Sequence, residues 1–246
     1  MKKVKKRWVI CAAALVLVTA AVLGGIKLYR IYQRDQCGIL LAFDDYCGDN
    51  WEDYFDLFDE YGAKVTFFVN LSEPTDFCYR ALERGHEIAF HTIGHVDMTE
   101  ASEEMIYQQA IAPIEVFREK GIDITTFAYP YGRYNEEVNE ILLEHYKVLR
   151  GAYYLEVNNK HALRGGFVES LSLDNVNYKS QEEYEERITQ VLTELKEGKA
   201  NVITMYSHAI ADGGDWCISP EKLEFLLKKA KELDLQFYTF QYLQNW

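Results

Sequence analysis

Five polar residues have the types and spacing for hydrolytic chemistry. Asp44 and Asp45 are adjacent, His91 and His95 stand four apart with Gly94 between them, and His208 stands alone. Two imidazoles at that spacing can share one side of a turn. With the carboxylate of Asp45 they form a two-histidine, one-carboxylate set that leaves positions open for water and substrate, the ligand count of a catalytic metal site. The set suits one divalent ion, Zn²⁺ by default, and it tolerates Co²⁺, Ni²⁺ or Mn²⁺. Two neighbouring carboxylates would be costly if both were buried, and a nearby cation removes that penalty. Consecutive side chains diverge after a strand, so one acid can bind the ion while the other faces its water. His208 is a candidate general acid, because amide hydrolysis requires a proton on the leaving nitrogen. The Tyr129-Pro130-Tyr131-Gly132 segment is foremost a rigid turn. Such a turn could also aim a backbone N–H, that of Tyr131, at a developing oxyanion. Each feature has a plainer reading taken singly: a helix cap for the Asp pair, a structural role for an isolated histidine.

What unites them is their position along the chain. Gly38–Phe43 is a continuous apolar run of buried-strand type and leads into Asp44-Asp45. Glu87–Phe90 leads into His91, Phe127-Ala128 into the Tyr-Pro turn, and Asn201–Tyr206 into Ser207-His208. Val65–Val69 is a further strand, and two shorter ones are expected near Lys147–Gly151 and Ser170–Leu173. Helical periodicity covers Asp49–Tyr61, Thr75–Arg84, Ser102–Lys120, Asn135–His145, Gln181–Lys196 and Pro220–Leu233, and a last strand is expected at Gln236–Phe240. Asp49 and Asn50 stand nearest the first helix start and would cap it, leaving Asp44 and Asp45 free. Buried-type strands alternating with helices imply a parallel sheet covered by helices. About seven such units favour closure into a distorted (β/α) barrel, where strand C-termini share one face and the motifs converge there.

The N-terminus is a separate element. Lys2, Lys3, Lys5, Lys6 and Arg7 precede an uncharged run from Trp8 to Ile26, long enough to span a bilayer. The expected division is a basic cytoplasmic leader with a transmembrane anchor over residues 1–30 and one catalytic domain over 31–246. The charge bias places that domain outside the cell membrane, or secretes it if the leader is cleaved. The leader holds seven of the 26 basic residues and none of the 39 acidic ones. Residues 31–246 therefore carry 39 acidic against 19 basic residues, a net −20 that argues against nucleic acid as a partner. Four cysteines, Cys37, Cys47, Cys78 and Cys217, lie beyond the leader without a CxxC pair. In an exported domain Cys47 and Cys217, each following a motif, could form a disulfide on the active-site face.

Assembled in this order, the motifs resemble those of polysaccharide deacetylases of the NodB-homology type, carbohydrate esterase family 4. The similarity runs over roughly residues 37–240. AFDD resembles the family's TFDD, and HEIAFHTIGH its H-[ST]-x-x-H motif. FAYPYG is similar to the third motif of poly-N-acetylglucosamine deacetylases, and Ile203–His208 to the last motif. The resemblance implies that Asp44 is the general base, that Asp45, His91 and His95 hold the metal, that His208 is the general acid, and that the Tyr131 amide binds the oxyanion. The implied reaction removes N-acetyl groups from amino sugars of an extracellular or cell-wall glycan. Three departures stand out. Tyr46 replaces a common Gly, which changes the rim beside the metal and is expected to narrow the substrate groove. Ala128 stands where the family has an Arg, for which Arg133 or Arg150 are the candidate substitutes. The fourth motif reduces to Asp174, with no Trp near it. These departures keep two other functions in view: hydrolysis of a different amide or ester, and a catalytically inactive membrane-anchored glycan-binding protein. Retention of Asp44 and His208 speaks against the inactive binder, since binding needs neither.

Overall fold

The computed structural model describes residues 37–152 and 166–245. Seven strands, β1 (Gly38–Asp44), β2 (Val65–Val69), β3 (Glu87–Phe90), β4 (Thr126–Ala128), β5 (Val148–Ala152), β6 (Phe167–Ser172) and β7 (Val202–Ser207), run parallel in chain order. β1 also pairs with β7, from Gly38 opposite Val202 to Phe43 opposite Ser207, which closes the sheet into a barrel. The expected fold therefore holds for the described residues. The expected membrane helix lies outside them, as does the connection between β5 and β6. Among the described residues no helix is long and apolar enough to cross a membrane.

Strand alternation divides the core in two. Ile39, Leu41 and Phe43 face the helices and join the larger cluster with Trp51, Phe58, Phe67 and Phe77. Leu40 and Ala42 face the lumen with Phe68, Ala89, Ala128, Val148, Val168 and Val202. Burial on both faces explains why these strands read as continuous apolar runs. The same parity carries Asp44 onto the lumen side at the end of β1, where it is 2% exposed. A short strand β8 (Ala209–Ile210) pairs with β9 (Cys217–Ile218) and fastens the loop after β7. The expected last strand is limited to β10 (Gln236–Phe237), and the chain then turns into a 3₁₀ segment, Phe240–Asn245. Phe240 and Leu243 enter the lumen and plug its lower end. There the buried Glu87 carboxylate accepts hydrogen bonds from Thr66 Oγ1, Thr126 Oγ1 and the Gln241 N–H, at 2.8, 2.6 and 2.8 Å.

Two helices differ from expectation. The Asp49–Tyr61 segment is broken into α1 (Gly48–Glu52) and α2 (Phe55–Glu60). Asp49 and Asn50 lie inside α1 rather than capping it, because Asn50 is drawn to the opposite loop. Its Nδ2 donates to Ile210 O at 2.9 Å and its Oδ1 accepts from Ile210 N at 2.8 Å. Beyond α3 (Asp76–Glu83), the Ser102–Lys120 segment forms α4 (Glu103–Ile106), a π-helical turn (Tyr107–Ile111) and α5 (Ala112–Glu119). Pro113 causes the irregularity: it lacks the N–H that would bond Gln109 O, and its ring crowds that carbonyl. The remaining helices, α6 (Glu136–Leu143), α7 (Gln181–Lys196) and α8 (Pro220–Glu232), fall within a few residues of their expected limits.

Candidate active site

The strand ends converge as the parallel barrel requires. Asp44, Asp45, His91, His95, Tyr131 and His208 all line one cavity of ≈ 580 Å³ at the C-terminal rim. Within it, ligand atoms of Asp45, His91 and His95 lie within 4.8 Å of one another. Asp45 Oδ1 is 3.4 Å from Nε2 of each histidine, and it is buried without a hydrogen-bond partner. His91 Nδ1 sits 2.8 Å from Ala128 O, so this nitrogen carries the proton and Nε2 presents its lone pair to the cluster. Burial, reinforced by Arg150, pulls the His91 pKa down to about 3 against the opposing pull of Asp45, which keeps the ring neutral. An unpartnered buried carboxylate oxygen between two imidazoles is the donor set a divalent cation requires, so these residues fit such an ion.

The backbone here is unusual. Five non-glycine residues among those described have positive φ, and four of them, Asp45 (66°), Thr92 (62°), His95 (49°) and Tyr131 (57°), belong to the rim. Left-handed conformations of non-glycine residues are sterically costly and persist where surrounding structure holds them. Asn70, just past β2, does part of that holding: its Nδ2 donates to His91 O at 2.7 Å.

Asp44 lies beside this cluster in a different environment. Its Oδ2 accepts from Arg150 Nη2 at 2.5 Å, while Oδ1 is buried and has no hydrogen-bond partner. Arg150 is 1% exposed, and its guanidinium lies between the rings of Phe68 and Tyr206, at 4.9 and 4.6 Å. Of the two expected substitutes for the missing Arg, Arg150 thus meets Asp44. Arg133 instead bonds Asp97 at 2.8 Å on the rim. Lumen geometry explains the exchange: Ala128 on β4 and Arg150 on β5 face each other in register, and the small residue leaves room for the large one.

His208 is held by two hydrogen bonds. Its Nδ1 donates to the Asp174 carboxylate at 3.0 Å, and its carbonyl accepts from Trp51 Nε1 at 2.8 Å. Asp174, fully buried, also accepts from Ser207 Oγ at 2.7 Å and Ser172 Oγ at 2.9 Å. Burial alone would lower the His208 pKa, but the bond to Asp174 and the charges of Asp174, Asp44 and Asp45 outweigh it, so the net shift is upward. Nε2 points back to the cluster, 3.8 Å from Asp45 Oδ2. The third motif forms a 3₁₀ turn, Pro130–Gly132, whose own hydrogen bonds run from Gly132 N to Tyr129 O and from Arg133 N to Pro130 O. Neither uses the Tyr131 N–H. The Tyr131 ring packs on His95 with centroids 4.4 Å apart.

Other expectations are corrected. Tyr46 does not narrow the substrate groove, since it does not line the cavity: its hydroxyl bonds Thr75 Oγ1 at 2.8 Å and its ring packs edge-on against Trp51 and Phe77. The Cys47–Cys217 disulfide is absent, and the described cysteines are free thiols. Cys47 Sγ bonds Asp45 O, whereas Cys217 Sγ is held within its own loop by Gly213 and Gly214 carbonyls. A tryptophan does reach the site, but from the β8–β9 loop. Trp216 is 60% exposed and stands edge-on to His208 with centroids 6.0 Å apart. Its lone place in a polar loop offered no periodicity to reveal it.

Residues 32–146 match the family described as polysaccharide deacetylase. The peptidoglycan-N-acetylglucosamine deacetylase PgdA of Listeria monocytogenes is 31% identical over 107 residues, 42% of this chain and 23% of that protein. The chain thus spans about a quarter of that relative's length. The structure of the peptidoglycan deacetylase PdaC from Bacillus subtilis superposes with a TM-score of 0.53 at 20% identity, covering 86% of this chain and 92% of that one. A family 4 carbohydrate esterase from Streptomyces lividans, in complex with acetate, gives 0.56 at 15% identity, covering 82% and 91%. These likenesses agree with the motif order: residues 32–146, just under half of the chain, are similar to polysaccharide deacetylases, and the solved structures share the barrel fold.

Proposed function

We propose that this protein is a metal-dependent deacetylase that removes N-acetyl groups from amino sugars of a cell-wall or extracellular glycan. The observation that carries this reading is the pairing of two differently held acid–base groups with one ligand cluster. Asp44 keeps one carboxylate oxygen bonded to Arg150 and the other free, while His208 is backed by Asp174. A binding protein would need neither. A divalent ion held by Asp45, His91 and His95 supplies Lewis acidity toward the acetamide carbonyl and lowers the pKa of water. In this reading Asp44 Oδ1 takes the proton of the attacking water and the Tyr131 N–H donates to the developing oxyanion. His208, kept protonated by Asp174, then gives its Nε2 proton to the departing amine. PgdA and PdaC are named for peptidoglycan, which makes N-acetylglucosamine of that polymer the first substrate to try. The basic leader and uncharged run of residues 1–30 support a single-pass anchor with the domain outside the cell.

The test is acetate release from N-acetylglucosamine oligomers and peptidoglycan fragments by the metal-loaded protein. Chelation is expected to abolish release. Asp44→Asn and His208→Ala are each expected to reduce kcat by about 10²–10⁴-fold. Release that survives chelation, or either substitution, refutes the mechanism. Metal binding without release from any acetylated glycan refutes the activity.

A further inference from the structure

Resting on that reading of the metal site, we propose that Gln109 and Pro113 form a positioning clamp that sets the turn carrying His95. The turn between the two histidines holds two costly left-handed residues, Thr92 and His95. A β-branched residue such as Thr92 adopts this conformation only when its surroundings impose it. Two consecutive amides of the turn are tied to one residue. Ile93 N donates to Gln109 O at 3.1 Å, and Gly94 N donates to Gln109 Oε1 at 2.7 Å. Asn70 holds the preceding carbonyls of His91 and Thr92, at 2.7 and 3.3 Å. The turn is therefore gripped through its carbonyls from one side and through its amides from the other.

A regular helix could not offer both acceptors of Gln109. Its backbone carbonyl would be consumed by the N–H four residues later, but that residue is Pro113. The missing donor releases the carbonyl, and the π-helical turn Tyr107–Ile111 turns it outward toward Ile93. Gly94 completes the fit, since a Cβ there would stand 3.0 Å from Gln109 Oε1. Neither Gln109 nor Pro113 lines the cavity, so both act through His95.

The experiment uses the full-length protein in detergent, stripped of metal. Wild type, Gln109→Met, Gln109→Glu and Pro113→Ala are titrated with Co²⁺, read by the d–d absorption band, and with Zn²⁺ against a chromophoric chelator. Thermal unfolding of each metal-free protein is recorded in parallel. Gln109→Met loses the side-chain acceptor, and Pro113→Ala restores a competing N–H. Each is expected to weaken metal binding about three- to tenfold, the worth of one hydrogen bond, and to shift the Co²⁺ band, with the metal-free Tm lowered by no more than about 2–4 °C. Gln109→Glu keeps the acceptor and is expected to bind as wild type does. Wild-type affinity and spectrum in Gln109→Met, or equal impairment in Gln109→Glu, overturns the clamp. A wild-type protein that binds neither ion refutes the metal site itself.

Discussion

Removing Arg150 tests the arrangement inside the barrel most directly. Arg150 and Asp44 are 1% and 2% exposed, so neither charge can turn to water when its partner is lost. Arg150→Met leaves a carboxylate buried among the lumen side chains, where breaking a buried pair from one side costs about 3–5 kcal/mol. Asp44→Asn strands the guanidinium between Phe68 and Tyr206 and carries a similar cost. The double variant buries no charge, and methionine refills most of the volume, so its cost should fall to about 1–2 kcal/mol. The assay is urea unfolding of the metal-free protein at neutral pH, since a divalent cation beside Asp44 would mask the loss. With a slope of about 2–3 kcal/mol per molar urea, each single variant should lower the midpoint by about 1–2.5 M. The double variant should recover more than half of that. Single variants that cost under about 1 kcal/mol, or two costs that simply add, would refute the claim that this pair is an interdependent buried unit.

Three further outcomes follow from the same geometry. Asp174→Asn should move the basic limb of the kcat/KM profile to lower pH, because the carboxylate holds the His208 pKa up; an unmoved limb would remove His208 from the acid role. Trp216→Ala should raise KM for N-acetylglucosamine oligomers about two- to tenfold with little change in kcat, and an unchanged KM would exclude this ring as a substrate wall. His86 is buried against Phe55, Phe58 and Phe67, and its pKa is pushed down to about 4, chiefly by burial. The unfolded chain then binds a proton that the folded one refuses, so this contribution is whole above about pH 6.5 and drains away as pH falls toward 4, amounting to about 3 kcal/mol. Unfolding of His86→Gln beside wild type isolates it, since carboxylates such as Glu87 titrate alike in both; parallel pH slopes would show that His86 contributes nothing.

Much of the site could be read from residue order because strands buried on both faces write themselves as apolar runs, and a polar pair at their ends stands out. GILLAF before Asp44 and NVITMY before Ser207-His208 are of this kind. α7 was legible for the corresponding reason, a single apolar face bounded by a cap and a glycine. The parts that were not legible depend on partners remote in sequence. Arg150 interrupts an apolar strand, and only lumen parity and the smallness of Ala128 show why it belongs there. Pro113 was visible, yet its effect on Gln109 acquires meaning only where the histidine turn approaches. Tyr46 is one residue beyond Asp45, and the left-handed φ of Asp45 sends it to the other side of the rim.

The plug at the lower end of the barrel governs how the chain can fold. β1, the first of the described strands, has its closing partner in β7, and Glu87 binds an amide 154 residues further on. Phe240 and Leu243, the latest residues of the lumen cluster in chain order, fill its lower end. Contacts of such sequence separation form late and slowly, so the barrel stays open until nearly the whole chain has been made. In the exported setting proposed above, such a delay would keep the chain threadable until passage is complete. Shortening the chain before Phe240 should therefore leave an open, protease-sensitive barrel rather than a slightly weakened one, and resistance of such a truncation to limited proteolysis would show that closure does not wait for the plug.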